Sequence, residues 1–428
     1  MTKVRSLSPL ECTYLAGDRA GRSSMVNQYV IEGIGSLSVL EWKTAIELAA
    51  DANPGIRLKL KGKWGWRYWD DQGREPRVKV YSSSWSGENS SGAEFDGQEL
   101  DCINGLGAEI HLLEGAFPKI IFRSHHALMD GNATLFWIQE VFRALRGEAL
   151  RGSVATLNEM DIVKAHEQPE PKHFSGPWGA IFLSAGINKG DSDCSSSEEY
   201  SKKHSEKYSE EHSEEWKNEV GDDNCIWQNM ILKNEIDRVL PKTIYFFARR
   251  VRALHGEHVK TVFRVPSNLR RLLSEEEKYQ LGNLVAAIDF EVIPEMEVKD
   301  IYKNLLTDLK KKQDLSVFPK NIWLAKWLPK RFFRRSPVQL HKLQQQGLCD
   351  ITAIITHVGK VSLSEFSYEN FKATNLYALP LPLPGVSISC VFLAHDNGLS
   401  LTMSAPATFV SHEKLKAFAA EMKAAFSE

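Results

Sequence analysis

The sequence predicts a mixed α/β protein. Short runs of β-branched and aromatic residues alternate with apolar residues at helical spacing, this alternation restarts in the second half, and an acidic serine-rich window separates the halves. The 428 residues, 43% of them hydrophobic and 25% charged, supply a substantial core and exclude wholesale disorder.

Residues 26–33 (Val-Asn-Gln-Tyr-Val-Ile-Glu-Gly) read as a strand ended by glycine. Leu40, Trp42, Ala45, Ile46, Leu48 and Ala49 recur at near-helical spacing until Asn53-Pro54 stops the run. Ile56–Leu60 and Trp64–Trp69 are expected to be two short strands, with Trp64, Trp66 and Trp69 as sheet packing. Two apolar runs between Ile110 and Phe122 flank Glu114-Gly-Ala-Phe-Pro118, a hairpin that delivers the chain to His125. After Gly131, Leu135, Ile138, Val141, Phe142 and Leu145 mark an amphipathic helix stopped by Gly147.

The window 191–223 holds eight serines and twelve acidic against four basic residues, and is expected to connect an N-terminal unit (1–190) to a C-terminal one (224–428). Within it His204, Tyr208, His212 and Trp216 recur every four residues, the pattern of a solvated linker helix; two histidines two turns apart cannot share one metal ion. The second unit reads as strand 225–232, helix 240–254, strands 259–265 and 284–293, and helix 298–312. Strands 351–356, 386–394 and 399–404 follow, then helix 411–426.

Charge and cysteine usage narrow the function. Lys and Arg (53) nearly cancel Asp and Glu (55), which argues against a generic electrostatic binder of nucleic acid. The six cysteines are dispersed with no CxxC pair, which fits a reducing cytoplasm better than a zinc ribbon or a disulfide framework. The first nine residues lack a secretory apolar core, and the longest apolar stretch (177–187) is too short to cross a bilayer, so no membrane span is expected.

The segment most suited to chemistry is His125-His126-Ala-Leu-Met-Asp130-Gly131, between a predicted strand and a predicted helix. Successive residues of an extended segment point to opposite faces, so one histidine reaches a given pocket and the other is structural. A neutral imidazole can take a proton from an amine or hydroxyl attacking a carbonyl. Packed structural histidines, and a metal held by His-His-x3-Asp, are the competing readings; no third ligand cluster accompanies the motif, so no metal is expected. A GxSxG elbow and a Walker A loop are absent.

The run Arg123–Leu145 resembles the HHxxxDG signature and following helix of the chloramphenicol-acetyltransferase-like superfamily. That superfamily includes nonribosomal peptide condensation domains, polyketide-associated acyltransferases, wax ester synthases and plant acyltransferases. Asn53-Pro-Gly-Ile-Arg57 is similar to its HPxLR segment, with Asn53 in place of histidine. Val265-Pro-Ser-Asn-Leu-Arg270-Arg271 is similar to its VPxxxR segment, Leu281-Gly-Asn283 to its glycine-asparagine step, and Thr356-His-Val-Gly359 to its SNxG-like turn.

The resemblance implies two chloramphenicol-acetyltransferase-like lobes in a V-shaped pseudo-dimer, joined by a crossover, with a tunnel between them. His126 would be the catalytic imidazole, as base or as the group orienting the nucleophile, with His125 structural. Asp130 would pair with Arg270, Arg271 being the alternative, and Gly131 would keep the passage beside His126 clear. An acyl or peptidyl carrier protein, or coenzyme A, would present a phosphopantetheine thioester to an amine or hydroxyl acceptor in natural-product biosynthesis. No covalent enzyme intermediate and no bound cofactor are expected. The chain lacks the DFGWG motif of the plant branch and keeps the histidines that heterocyclisation domains replace. With the length consumed by two lobes, the protein is expected to work in trans. An epimerisation-type domain and a non-catalytic carrier-binding scaffold are the alternatives.

Between Lys310 and Arg335 nine basic residues and one acid are interleaved with five aromatics. Lys330, Arg331, Arg334 and Arg335 are the candidates there for contacting an acidic carrier or the phosphates of coenzyme A. A basic aromatic segment lying on a membrane surface and an exposed stretch with inward-packed aromatics are the other readings.

Overall fold

The structure, a computed structural model, describes residues 3–20, 25–93, 100–172, 178–179, 225–232, 236–257, 259–318, 327, 348–349, 351–381, 383, 385–407 and 409–427. The window 191–223 and the basic residues Lys330, Arg331, Arg334 and Arg335 lie outside them.

The first unit runs β1 (Lys3–Ser6), α1 (Pro9–Ala20), β2 (Val26–Gly35), α2 (Val39–Ala52), β3 (Lys59–Lys61), β4 (Tyr68–Asp70), β5 (Arg77–Ser82), β6 (Ala108–Glu114), β7 (Lys119–His125), α3 (Gly131–Leu145) and α4 (Glu159–Lys164). After a short β8 (Trp178–Gly179) come β9 (Cys225–Leu232), α5 (Val239–His255), β10 (Thr261–Asn268), β11 (Val285–Val292) and α6 (Val298–Lys310). The chain closes with β12 (Leu348–Cys349), β13 (Ile351–Lys360), β14 (Phe371–Leu379), β15 (Val386–His395), β16 (Gly398–Pro406) and α7 (His412–Ser427).

Two elements depart from expectation at the tryptophan-rich segment. Ile56–Leu60 and Trp64–Trp69 are not continuous strands: 3-10 turns occupy Pro54–Ile56 and Trp64–Trp66, leaving three-residue β3 and β4. Pro54, with its pre-set φ, suits the first position of such a turn. β1, α1, β5, α4, β8, β12 and β14 are additions that periodicity alone did not indicate. α1 opens on a capping box in which the Ser8 N–H donates to Glu11 Oε2 (2.8 Å) and the Glu11 N–H donates to Ser8 Oγ (3.1 Å).

Two sheets organise the molecule into two lobes. The first has the order β14-β2-β7-β6-β5, and the second β11-β10-β13-β15-β16-β9. α2 and α3 cover the first sheet with buried rings: Trp42 meets Phe142 edge-on at 5.5 Å, and Phe122 meets Trp137 at 5.3 Å. On the second sheet α5 and α7 bring Phe247 and Phe418 within 5.5 Å.

The lobes exchange chain at β14. It follows β13 of the second sheet, pairs antiparallel with β2 of the first (Leu376 opposite Ile31), and returns as β15. Asn375 fastens this crossover. Its amide donates to Glu32 Oε2 on β2 (3.0 Å), while its Oδ1 accepts from His395 Nε2 on β15 (3.1 Å) and Ser400 Oγ on β16 (2.9 Å). His395 Nδ1 accepts the Asn397 N–H (3.2 Å), so the His395 proton sits on Nε2 and the ring is no base for Ser400. Replacing Asn375 with Ala strands these buried partners, and is expected to lower stability by about 1–3 kcal/mol in urea unfolding.

Candidate active site

β7 ends at His125, and its register against β2 (Val26 opposite His125) and β6 (Ala108 opposite Ser124) sets the histidine loop at the ends of three neighbouring strands. His125 is fully buried and braces the loop from inside. Its N–H donates to the Gly107 carbonyl (2.9 Å), its Nδ1 accepts the Ala127 N–H (3.0 Å), and its carbonyl accepts the Leu128 N–H (2.9 Å). Gly107 has no room for a side chain: a Cβ there would lie 2.1 Å from Leu128 Cδ1.

Asp130 both caps α3 and joins the lobes. Oδ1 accepts the Ala133 N–H (2.8 Å); Oδ2 accepts Arg270 Nη1 (2.7 Å) and the Leu284 N–H (2.7 Å). Arg270 Nη2 donates to the carbonyls of Gln280 (2.9 Å) and Gly282 (3.0 Å), and Nη1 also donates to Asn268 Oδ1 (3.3 Å). Arg271 instead binds Asp314 (2.8 Å), which removes it as the partner of Asp130. At Gly131 an added Cβ would lie 3.1 Å from the Tyr29 hydroxyl. That hydroxyl donates to the Gly131 carbonyl at 2.9 Å.

His126 retains 9% of its surface. Its N–H donates to the Met25 carbonyl (2.8 Å), and the Tyr14 ring from α1 stacks on the imidazole at 4.2 Å and 8°. Asn283 Nδ2 lies 2.7 Å from the His126 carbonyl oxygen and 3.0 Å from Nδ1. Among the described residues Nε2 has no hydrogen-bond partner, and it is not among the polar atoms closed off from solvent. Burial pushes the imidazole pKa down to about 4, against the opposing pull of its own backbone carbonyl and of Asp130, so the ring is neutral at pH 7. Burial likewise pushes the Tyr14 phenol up to about 12.

Two of these contributors were not anticipated from sequence, Tyr14 and Arg5. Arg5, 3% exposed, ties β1 to the loop: its Nη2 donates to the Leu128 carbonyl (3.2 Å), its Nη1 to Ala155 O (2.9 Å), and its Nε to Glu11 (3.0 Å). Beneath α1, buried Glu159 accepts the Leu10 N–H (3.2 Å). Burial, reinforced by Glu11, pushes its carboxyl up to about 8.

A groove of about 1000 Å³ lies elsewhere, lined by Ser82–Ser86, Glu32 and Lys119. In register Glu32 faces Lys119 where Val26 faces His125, so about 20 Å of strand at roughly 3.4 Å per residue separates the groove from His126. Among the described residues no group of three metal-ligating side chains converges, and no helix is long and apolar enough to cross a membrane.

Two stability predictions follow from this geometry. Arg270→Ala leaves the Asp130 carboxylate buried without its partner and is expected to cost about 3–5 kcal/mol in urea unfolding. Glu159 keeps its proton in the folded protein up to about pH 8 while the unfolded chain loses it near pH 4.5, so stability falls as pH rises through that window. Glu159→Gln is expected to flatten this decline in urea midpoints measured from pH 5 to 9.

No family model matches the chain, and no curated protein does. Solved structures do. The starter condensation domain of rhizomide synthetase RzmA, crystallised as a mutant with C8-CoA, is 13% identical with a TM-score of 0.61, covering 100% of this chain and 95% of that one. The first condensation domain of the calcium-dependent antibiotic synthetase is 12% identical (TM-score 0.60; 100% and 96% covered). Polyketide synthase associated protein 5 from Mycobacterium tuberculosis is 11% identical (TM-score 0.56; 100% and 98% covered). The chain thus has the two-lobed fold of these condensation domains.

Proposed function

We propose that the chain is a condensation-type acyltransferase that moves an acyl group from a phosphopantetheine thioester to an amine or hydroxyl acceptor. The observation that carries this reading is His126: a neutral imidazole with an open Nε2, on a loop braced by His125 and the Asp130–Arg270 pair, in a fold whose solved examples include a complex with C8-CoA and Leu-SNAC.

The donor is a loaded acyl or peptidyl carrier protein or an acyl coenzyme A, entering a tunnel walled by the lobes 1–190 and 224–428. The acceptor attacks the thioester carbonyl, and the tetrahedral oxyanion collapses to expel the thiol, with no acyl group resting on the enzyme. His126 handles or orients the acceptor's proton, and proximity supplies much of the acceleration. The basic group Lys330, Arg331, Arg334 and Arg335 receives the acidic face of a carrier or the phosphates of coenzyme A.

Intact-protein mass spectrometry of loaded carriers, run beside assays with acyl coenzyme A donors, tests the reading. His126→Ala is expected to slow transfer by about 10²- to 10⁴-fold; undiminished transfer removes His126 from the mechanism. Solvent deuterium incorporated at a carrier-bound α-carbon without transfer would make the protein an epimerase instead, and a tight carrier complex with no product would make it a scaffold. Because burial holds the ring neutral, the acid limb of the rate profile is expected near pH 4 rather than at the ordinary histidine value of about 6.5.

A further inference from the structure

One ring of the tryptophan-rich segment departs from the sheet packing expected of it. Trp69 is fully buried, whereas Trp66, in the 3-10 turn that joins β3 to β4, exposes 76% of its surface. A second indole stands beside it. The ring of Trp327, 41% exposed, meets Trp66 edge-on at 5.6 Å. Gly65 permits the approach, because a Cβ there would lie 2.3 Å from the Trp327 ring.

The charges around this pair have one sign. Residues 59–69 hold Lys59, Lys61, Lys63 and Arg67 and no acid. Lys63 is exposed, and neither it nor Lys59 forms an ion pair among the described residues. The β3–β4 pairing sets Lys61 opposite Tyr68 beside the turn and Lys59 opposite Asp70 at the far end. The acids gather at that far end, where Asp51, Asp71 and Glu75 surround Arg57 and the buried Asp70 takes Lys61 at 3.3 Å. In the sequence Trp327 belongs to the stretch Lys310–Arg335, with nine basic residues and one acid.

The shape of this surface selects what it meets. Trp66 sits at the tip of a hairpin, so its ring projects. Lipid headgroups part around a projecting indole and leave its N–H among their oxygens, whereas a folded partner must bring a preformed pocket. Lysines beside such a ring lay their stems along apolar surface and extend their ammonium groups to phosphate. The tip is also fastened to α1: the Leu7 N–H donates to the Arg67 carbonyl (3.0 Å), and Arg67 Nη2 donates to Cys12 Sγ (3.5 Å). The helix that seats Tyr14 on His126 therefore also supports the tip.

We propose that the Trp66 tip, with Trp327 and Lys63, docks the protein on an anionic lipid bilayer, its indoles in the headgroup layer and its cations against the lipid anions. The attachment is peripheral and reversible, because two indoles and a few cations bind far less firmly than a spanning helix. It is independent of acyl transfer.

Flotation of the full chain with vesicles of phosphatidylcholine alone, and of phosphatidylcholine and phosphatidylserine in equal parts, tests the proposal. Binding is expected to the mixed vesicles, to be much weaker to phosphatidylcholine, and to fall as salt is raised. Trp66→Ala is expected to weaken it about 10-fold or more, and Lys63→Gln about 5-fold. Phe117→Ala removes a ring equally exposed (75%) on the β6–β7 turn and is expected to leave binding unchanged. Urea midpoints of the variants separate lost binding from lost folding; should Trp66→Ala not fold, Lys63→Gln decides. No flotation with mixed vesicles, equal flotation with both kinds, or flotation that survives both Trp66→Ala and Lys63→Gln overturns the proposal. Flotation untouched by Trp66→Ala, with weakened capture of an acyl carrier protein, assigns the tip to a carrier and overturns it as well. Flotation that depends on Trp66 in a protein that transfers no acyl group would sink the acyltransferase reading and uphold the docking surface.

Discussion

The buried pair between Asp130 and Arg270 is the constraint on which the site depends. One carboxylate caps α3, receives the guanidinium across the lobe boundary and accepts the Leu284 N–H. Such a pair adds little net stability, because desolvating both charges offsets much of their attraction. Its value lies in geometry. With both oxygens of the carboxylate engaged, the loop carrying His126 is held in place, and the segment carrying Asn283 just before β11 is fixed relative to it.

Around that pair the molecule surrounds one ring with contacts from distant parts of the chain. Met25 holds the His126 backbone, Tyr14 one face, and Asn283 one nitrogen, leaving Nε2 unengaged among the described residues. Arg5 ties β1 to the same loop through the Leu128 carbonyl. A side chain oriented this fully before substrate arrives loses little freedom on reaching a transition state, the form of preorganisation that electrostatic catalysis requires. Burial adds to this by keeping the ring neutral.

The lobes are also joined away from the site, where β14 lends a strand to the first sheet and Asn375 bonds to both. His395 and Ser400 show how proximity alone misleads. They lie 3.0 Å apart like a nucleophile and its base, yet the Asn397 N–H occupies the nitrogen that would leave Nε2 free to act as base. The bonding around a histidine, more than its neighbours' identities, decides what it can do.

Much of this was legible locally. The helix behind the histidine motif and most strands follow from periodicity and from glycine and proline stops, which act within a few residues, while the HHxxxDG run stands out by its resemblance to a known signature. The box Ser8-Pro9-Leu10-Glu11 also announces α1 from local rules, although its weaker apolar spacing hid it. Sequence by itself determined that the histidine motif lies between a strand and a helix, and the resemblance of Val265–Arg271 named Arg270, with Arg271 as the alternative, to meet Asp130, 140 residues away. Tertiary structure alone chose Arg270 over Arg271, seated Tyr14 on His126, and brought Asn283 to a ring 157 residues away. Contacts across such separations leave no periodic trace, because they depend on how completed sheets and helices pack rather than on what each segment prefers alone.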